Sequence, residues 1–343
     1  MLVSVGTEIM VVSREKHSNV PWWPLCVIAL LLVSSAWLTV SRAERRKPVK
    51  IGVLSASWGP TPQVVGLRDG LVELGYRENV DFYLGVRFTQ GDLAALDAAA
   101  RELVQHGVDI LVADADESAK AVQRATTTIP IVFASVAAPD ELGLIQSFAR
   151  PGGNITGVTD LDLELNAKRL EIFQEMLPGL KRVLFPYDPT DAYAAAAAKV
   201  NRAAAPLLGI ELVEQVIRTA AEADAFFTQS RPDAIDGMVL PRCCSLNIPG
   251  LALQATSVWM MPTFFSTTFF VEHGALASYG ADTHETGRQA ARLVDKILKG
   301  AKPAELPVEV NSKIEFAINL KTATALGLTI PPAVLFQADR IVR

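Results

Sequence analysis

From residue 48 onward the chain alternates short apolar, β-branched runs with amphipathic stretches of helical spacing, and this constrains the fold more than any other feature. Runs such as KIGVLSA (50–56), VDILVA (108–113) and IPIVFA (129–134) offer no polar face to water, so they belong in a sheet covered on both sides. Strand, helix and strand in repetition join parallel strands by crossover helices. The pattern predicts strands over 50–56, 83–88, 108–113, 129–134 and 155–158, with helices over 63–74, 93–106, 117–126 and 142–148. Pro151-Gly152-Gly153-Asn154 is the strongest turn signal, and beyond it the alternation starts afresh, which places a lobe boundary near residue 160. The second half predicts strands over 182–186, 211–216, 234–240, 261–265, 276–279 and 315–319. Its helices are predicted over 166–177, 192–208, 221–229, 251–258, 283–299 and 320–326. The fold class is α/β, in two lobes.

Local signals set several ends. Gly75 stops a helix because it accepts the left-handed conformation. His106, before Gly107, is placed as a helix-end cation rather than a ligand. Asp282 caps the helix from Thr283, so Glu272, His273, Asp282, His284 and Glu285 read as surface polar groups rather than an acid–base or metal cluster.

The N-terminus carries a different message. Leu25–Val33 (LCVIALLLV) follows Arg14, Lys16 and His17, and Ser41 and Ala43 occupy the −3 and −1 places of a cut after Ala43. This is the form of a secretory leader over 1–43. The alternative is an uncleaved anchor, since 21–40 has the ~20 residues that span a bilayer. Either reading exports the remainder, to the periplasm. Cys26 lacks the small residues that precede a lipid-modified cysteine. Beyond the leader stand only the adjacent Cys243 and Cys244, which cannot form a disulfide framework and read as small core hydrophobes.

With 32 basic and 37 acidic side chains the net charge is −5, which gives no positive field to gather nucleic acid. No phosphate-cradling Gly-Lys-Ser/Thr loop, Gly-x-Gly-x-x-Gly turn, His-Glu-x-x-His, Cys-x-x-Cys or Gly-x-Ser-x-Gly elbow is present. Neither a cofactor nor a metal is expected. In open α/β sheets ligands bind beyond the carboxyl ends of strands. The candidates there are Ser57, Trp58, Asp114, Ser135, Tyr187, Asp188, Ser266 and Tyr279, with Asp116, Arg242 and Thr267 beside them. Hydroxyls, a few charges and aromatic faces without a nucleophile and its base suit holding a small molecule. An enzyme using the paired carboxylates Asp114 and Asp116 is disfavoured, because their alternate spacing after a strand is read as turning them to opposite faces, against joint acid–base work.

The stretches GLRDGLVELGY (66–76), ATTTIPIVF (125–133), FARPGGNITGVTD (148–160), GALASYGAD (274–282), VDKILKGAKPAELPVE (294–309) and INLKTATALGLTIPPAVLFQAD (318–339) closely resemble the ABC-transporter substrate-binding protein family, whose members take up tryptophan, tyrosine or other small solutes. The resemblance runs from about Lys50 to the C-terminus. It implies the type I periplasmic-binding-protein architecture: two flavodoxin-like (Rossmann-like) lobes with a ligand cleft between them. The implied lobes are 44–160 plus 274–302 and 161–273 plus 303–343. The implied partners are a small-molecule solute, an ABC permease and separate ATPase subunits, and the receptor is expected as a monomer. A ligand-sensing receptor without a transport role is the alternative. Ser135–Asp140 departs from the family's usual Asp-Pro-Val, which leaves the solute open. An amino acid is favoured: Trp58 and Tyr187, in opposite lobes, would offer flat faces, Ser57, Ser135, Ser266 and Tyr279 hydroxyls, and Asp114 a partner for an ammonium.

Overall fold

β1 (Val49–Ser55) runs parallel to both β2 (Phe82–Phe88) and β3 (Ile110–Asp114), and the sheet continues in parallel through β4 (Ile131–Val136) and β5 (Ile155–Asp160). The computed structural model describes residues 47–160, 162–229, 232–242 and 245–343; the leader and the Cys243-Cys244 pair lie outside them. Period-2 alternation sorts β1 between two cores. Ile51 and Val53 pack with Leu67 and Leu71 of α1 (Pro62–Glu73) and with Leu293 and Val294 of a later helix, Thr283–Leu298. Leu54 faces the other way, into Leu96 and Leu103 of α2 (Leu96–Gln105) and Val122 of α3 (Asp116–Ala125). Each such fully buried side chain contributes roughly 1.5–3 kcal/mol. Thr61 caps α1 by accepting from the Val64 N–H, and Gly75, at φ +94°, ends it.

The second sheet has β6 (Arg182–Tyr187), β7 (Glu211–Val216), β8 (Gly237–Val239), β9 (Thr263–Phe265) and β10 (Ala277–Ala281). α4 (Leu165–Met176) and α5 (Ala192–Ala204) cover one face through Leu170, Phe173, Tyr193 and Ala197. α6 (Ala220–Thr228), α7 (Ile248–Val258) and α8 (Thr268–Glu272) cover the other through Phe227, Ala252 and Val271. α9 (Thr283–Leu298), capped by Asp282, then returns to the first lobe and lies on α1. The two helices touch backbone to backbone: a Cβ on Gly66 would stand 2.0 Å from the His284 carbonyl oxygen, and one on Gly287 2.1 Å from that of Gln63. β11 (Glu309–Asn311) adds to β5, β12 (Ile314–Asn319) pairs antiparallel with β10, and after α10 (Leu320–Ala325) and α11 (Pro332–Gln337), β13 (Arg340–Val342) closes the second sheet's edge. The strand orders are β11-β5-β4-β3-β1-β2 and β13-β12-β10-β9-β8-β6-β7.

The chain therefore changes lobe after Asp160, between β10 and α9, and between β11 and β12. These places differ from the expected boundaries at 274 and 303. Gly274 marks only the bend before β10, which hydrogen-bonds to β9 and β12 of the second sheet, while β11 stays with the first. The stretch 142–148 forms turns and bends instead of the expected helix, because Gly143 at φ +69° ends the single turn begun at Ala138. The short elements α8, β11, α11 and β13 escape a periodicity reading because none is long enough to show a period. Among the described residues no helix is long and apolar enough to cross a membrane.

Candidate functional site

The carboxyl ends of β1 and β3 face the start of α5 and the loop after β8 across a cavity of about 80 Å³. Ser55, Ser57, Thr61, Asp114, Asp116 and Ser118 line it from the first lobe, and Asp191, Tyr193 and Arg242 from the second. Ala115 stands between the two acids of this wall. Its backbone, at φ +70° and ψ 176°, is in a region that costs a residue with a side chain ~1–3 kcal/mol. Residues two apart along an extended chain share a face, and Asp114 and Asp116 both reach the cavity. The expectation that they serve separate environments is thereby corrected.

Asp114 Oδ2 accepts from Ser55 Oγ and Thr61 Oγ1, each at 2.9 Å, and Ser55 Oγ is also 2.9 Å from Ser57 Oγ. Burial raises the Asp114 pKa, while the two hydroxyls and the Arg242 charge pull against it. Asp116, in the first turn of α3, accepts at Oδ1 from the Ala137 N–H at 3.0 Å. Burial pushes its pKa up to about 6, against the charge of Arg242. Asp191 caps α5 by accepting from the Ala194 N–H at 2.9 Å, and its other oxygen accepts from Ser245 Oγ at 3.2 Å. Its pKa is also pushed to about 6, first by burial and further by the charge of Asp116.

Beside this wall lies a buried ionic network. Arg242 Nη1 donates to Asp160 Oδ2 at 2.5 Å, its Nε is 3.9 Å from Asp162 Oδ2, and its Cζ stands 4.7 Å over the Tyr193 ring. Asp162 also accepts from Arg169 and from the Tyr193 hydroxyl. Burial alone would raise the Asp162 pKa, but the charges of Arg169 and Arg242 outweigh it and hold the carboxyl below its usual range. Burial raises that of Asp160 in spite of Arg242. Arg169, fully buried, completes its bonding by donating Nε to the Tyr279 carbonyl at 2.7 Å. Two donors on the cavity wall have no such partner: Ser118 Oγ and Arg242 Nη2 are buried and unmatched.

Among the residues expected from sequence, the cavity brings together Ser57 and Asp114, and with them Asp116 and Arg242. Trp58, 53% exposed, follows Ser57 at the surface. Ser135 is buried at φ +57° in a bulge of β4, and its Oγ accepts from Gln63 Nε2 at 3.3 Å, so it touches a lining residue without lining the cavity itself. The other four are elsewhere. The Tyr187 ring packs on Phe185 in the second lobe's core and its hydroxyl donates to Glu214, so it does not oppose Trp58. Asp188 folds the turn before α5 by accepting from the Thr190 N–H and hydroxyl. Ser266 is buried against Gly280, and Tyr279 is edge-on to Phe316. Among the described residues of the second lobe, those lining the cavity come from the start of α5 and the β8 loop, and none comes from the ends of β9 and β10. Ser118, Asp191 and Tyr193 were missed, although Asp191 stands before an alanine run as a helix cap. Among the described residues no group of three or more His, Cys, Asp or Glu is placed to hold a metal ion.

Two lobes of mostly parallel sheet with a polar cavity between strand ends define a solute-binding protein of the type I periplasmic-binding architecture. Residues 53–342 match the family described as ABC transporter substrate binding protein, and the chain belongs to that family of solute-binding proteins. A tyrosine-binding protein of Clostridioides difficile (strain R20291) is 27% identical over 291 residues, 84% of this chain and 83% of that relative. The solved ABC domain in complex with L-Trp from Streptococcus pneumonia is 27% identical, with a TM-score of 0.75, over 86% of this chain and all of that one. A conserved domain protein from Vibrio cholerae is 31% identical, with a TM-score of 0.76, at the same coverage.

Proposed function

We propose that this chain is the exported receptor of an ABC importer, that it binds an α-amino acid, with an aromatic side chain favoured, between its lobes, and that it delivers it to a permease driven by separate ATPase subunits. The unmatched donors carry this reading. Ser118 and Arg242 line the cavity, their Oγ and Nη2 are buried without an acceptor, and a buried donor left so costs roughly 1–3 kcal/mol unless a ligand meets it. A carboxylate supplies that acceptor, and the first turn of α3, which contains Ser118, adds backbone N–H groups and the positive end of a helix dipole. The relatives that bind tyrosine and tryptophan support the same class. An enclosed space of about 80 Å³ suits the zwitterionic head, with the side chain directed past Ser57 towards Trp58. No group in the cavity requires chemistry on the ligand: Ser55 is engaged by Asp114, and Ser57 Oγ donates to the Gly59 carbonyl at 2.6 Å.

A thermal-shift screen of amino acids, nucleosides and sugars tests the reading, because a ligand that binds only the folded state raises its melting temperature by mass action. Aromatic amino acids are expected to give the largest shifts. A response confined to sugars or nucleosides refutes the assignment.

A further inference from the structure

We infer that Asp116 and Asp191, one from each lobe, form a clamp for the ligand's ammonium group, so that the cleft closes only around a cation. The inference rests on the amino-acid reading for its choice of ligand. The carboxylates stand at the starts of two helices, α3 in the first lobe and α5 in the second, and both line the same cavity. Asp116 is anchored through one oxygen by the Ala137 N–H, and Asp191 through one oxygen by the Ala194 N–H and through the other by the neutral Ser245 hydroxyl. Anchoring fixes the carboxyl groups while their charge is left facing the cavity.

The surrounding charges do not neutralise them. Around Asp116 stand Asp160, Glu117 and Arg242, and around Asp191 stand Asp116 and Glu117, with the Ser245 hydroxyl as a neutral partner. Arg242, whose charge offsets that of Asp116 in part, is also held by Asp160 and Asp162, and Glu117 is paired with Lys120 at 3.2 Å. Like charges brought together in a dry cavity repel strongly, and a cation between them turns the repulsion into two attractions. An acidic wall alone would be only a surface property. Here Ser118 points to a ligand independently: it is 1% exposed, lines the cavity, and its hydroxyl has no partner. An acceptor-bearing group at Ser118 and a cationic group at the clamp together describe one zwitterion.

Proton linkage follows from the geometry. Both carboxyl groups have pKa values near 6 in the described state, so acid protonates the clamp in the range where a free carboxylate would still be ionised. At pH 5 each is about one-tenth ionised, and cation affinity falls by about tenfold per carboxylate relative to pH 7.

The experiment is titration calorimetry of the protein with L-tyrosine, L-tryptophan, tyramine, 3-(4-hydroxyphenyl)propionate and a diamine, at pH 7 and 5, for wild type and the variants Asp116→Asn and Asp191→Asn. The expected result is binding of the two amino acids, at least 100-fold weaker binding of the propionate, and weakening at pH 5. Each variant is expected to lose tenfold or more for the amino acids and to flatten the pH dependence. Asparagine still caps a helix, and melting curves of each variant separate lost binding from lost folding. The analogue series needs no variant at all. Amino-acid affinity unchanged in both folded variants, or propionate bound as tightly as tyrosine, overturns the clamp while the receptor reading stands. Binding of tyramine or the diamine without either amino acid overturns the amino-acid reading and supports the clamp. Binding of none of the five overturns both.

Discussion

Replacing Asp191 by asparagine should make the ligand-free protein more stable at neutral pH. The Asp191 carboxyl has its pKa raised from 3.8 to about 6, chiefly by burial. An acid whose pKa is higher folded than unfolded takes up its proton more readily in the folded state. Stability is therefore gained as pH falls through 6 towards 4, and the cost of ionisation is fully present above about pH 6. A shift of about two pH units is worth about 3 kcal/mol for the ionised group at pH 7. Asparagine removes the charge and keeps an oxygen for the Ala194 N–H, so most of that cost disappears. At ~1.5–2 °C per kcal/mol for a chain of this size, the melting temperature should rise by about 4–6 °C at pH 7. Circular dichroism melts of variant and wild type at pH 7, 5.5 and 4 read this directly. Comparing the two proteins at one pH cancels the contributions of carboxylates such as Asp81, whose pKa is held at about 2 by Arg77. The gain should shrink by pH 5.5 and be nearly gone at pH 4. A melting temperature at pH 7 equal to or below wild type, or a gain that persists at pH 4, refutes the reasoning.

Arg169→Met leaves Asp162 buried without its main counter-charge and should destabilise the protein by about 3–5 kcal/mol in chemical denaturation. Adding Asp162→Asn to that variant should recover part of the loss, and no recovery would show that packing rather than charge is at stake. Export with cleavage after Ala43 predicts a mature chain starting at Glu44, which intact-mass analysis of the secreted protein checks; retention of Trp22, Trp23 and Trp37 in the dominant species would establish the anchor instead.

The fold was legible where a local signal decides the outcome. β7 is found over Glu211–Val216 as expected, the helix from Thr283 is capped by Asp282, and α1 stops at Gly75, because strand period, capping side chains and a left-handed glycine act within a few residues. The lobe crossings were read less well. Pairing β10 with β12 and β11 with β5 joins segments distant in sequence, and nothing in the run GALASYGAD says which sheet receives it. The site divides in the same way. Residues ending β1 and β3 were accessible to the rule that ligands lie beyond strand ends. Asp191, Tyr193 and Ser118 belong instead to helix starts, and Tyr187 was misplaced because the last residue of a strand can still turn its ring into the core. Ala115 is the least legible position of all. Its positive φ has no residue-type signature, and it stands between the two carboxylates that share the cavity.

The strain at Ala115 and the desolvated charges of Asp116 and Asp191 have one explanation between them. Each is unfavourable to folding, and none is needed to hold either sheet together, since the cores on both faces of each lobe are apolar and independent of them. Their common property is the cavity they line from opposite lobes. Burying both carboxylates ionised at pH 7 without a cation disfavours that state on the order of 100-fold for each shift of two pH units. An empty receptor with these residues should therefore favour conformations in which water reaches the two carboxyl groups. A ligand can shift the equilibrium only by its differential affinity for the two states, and an ammonium held between the carboxylates supplies that difference where the empty cleft is least stable. The Arg242–Asp160 pair joins the two lobes at the crossing after Asp160 with directional bonds, which an apolar contact of equal area would leave less defined, and Arg169 holds Asp162 just beyond it. Under the proposed clamp, charge placement in this cleft makes closure depend on ligand, at a cost in stability that the apolar cores of the two lobes absorb.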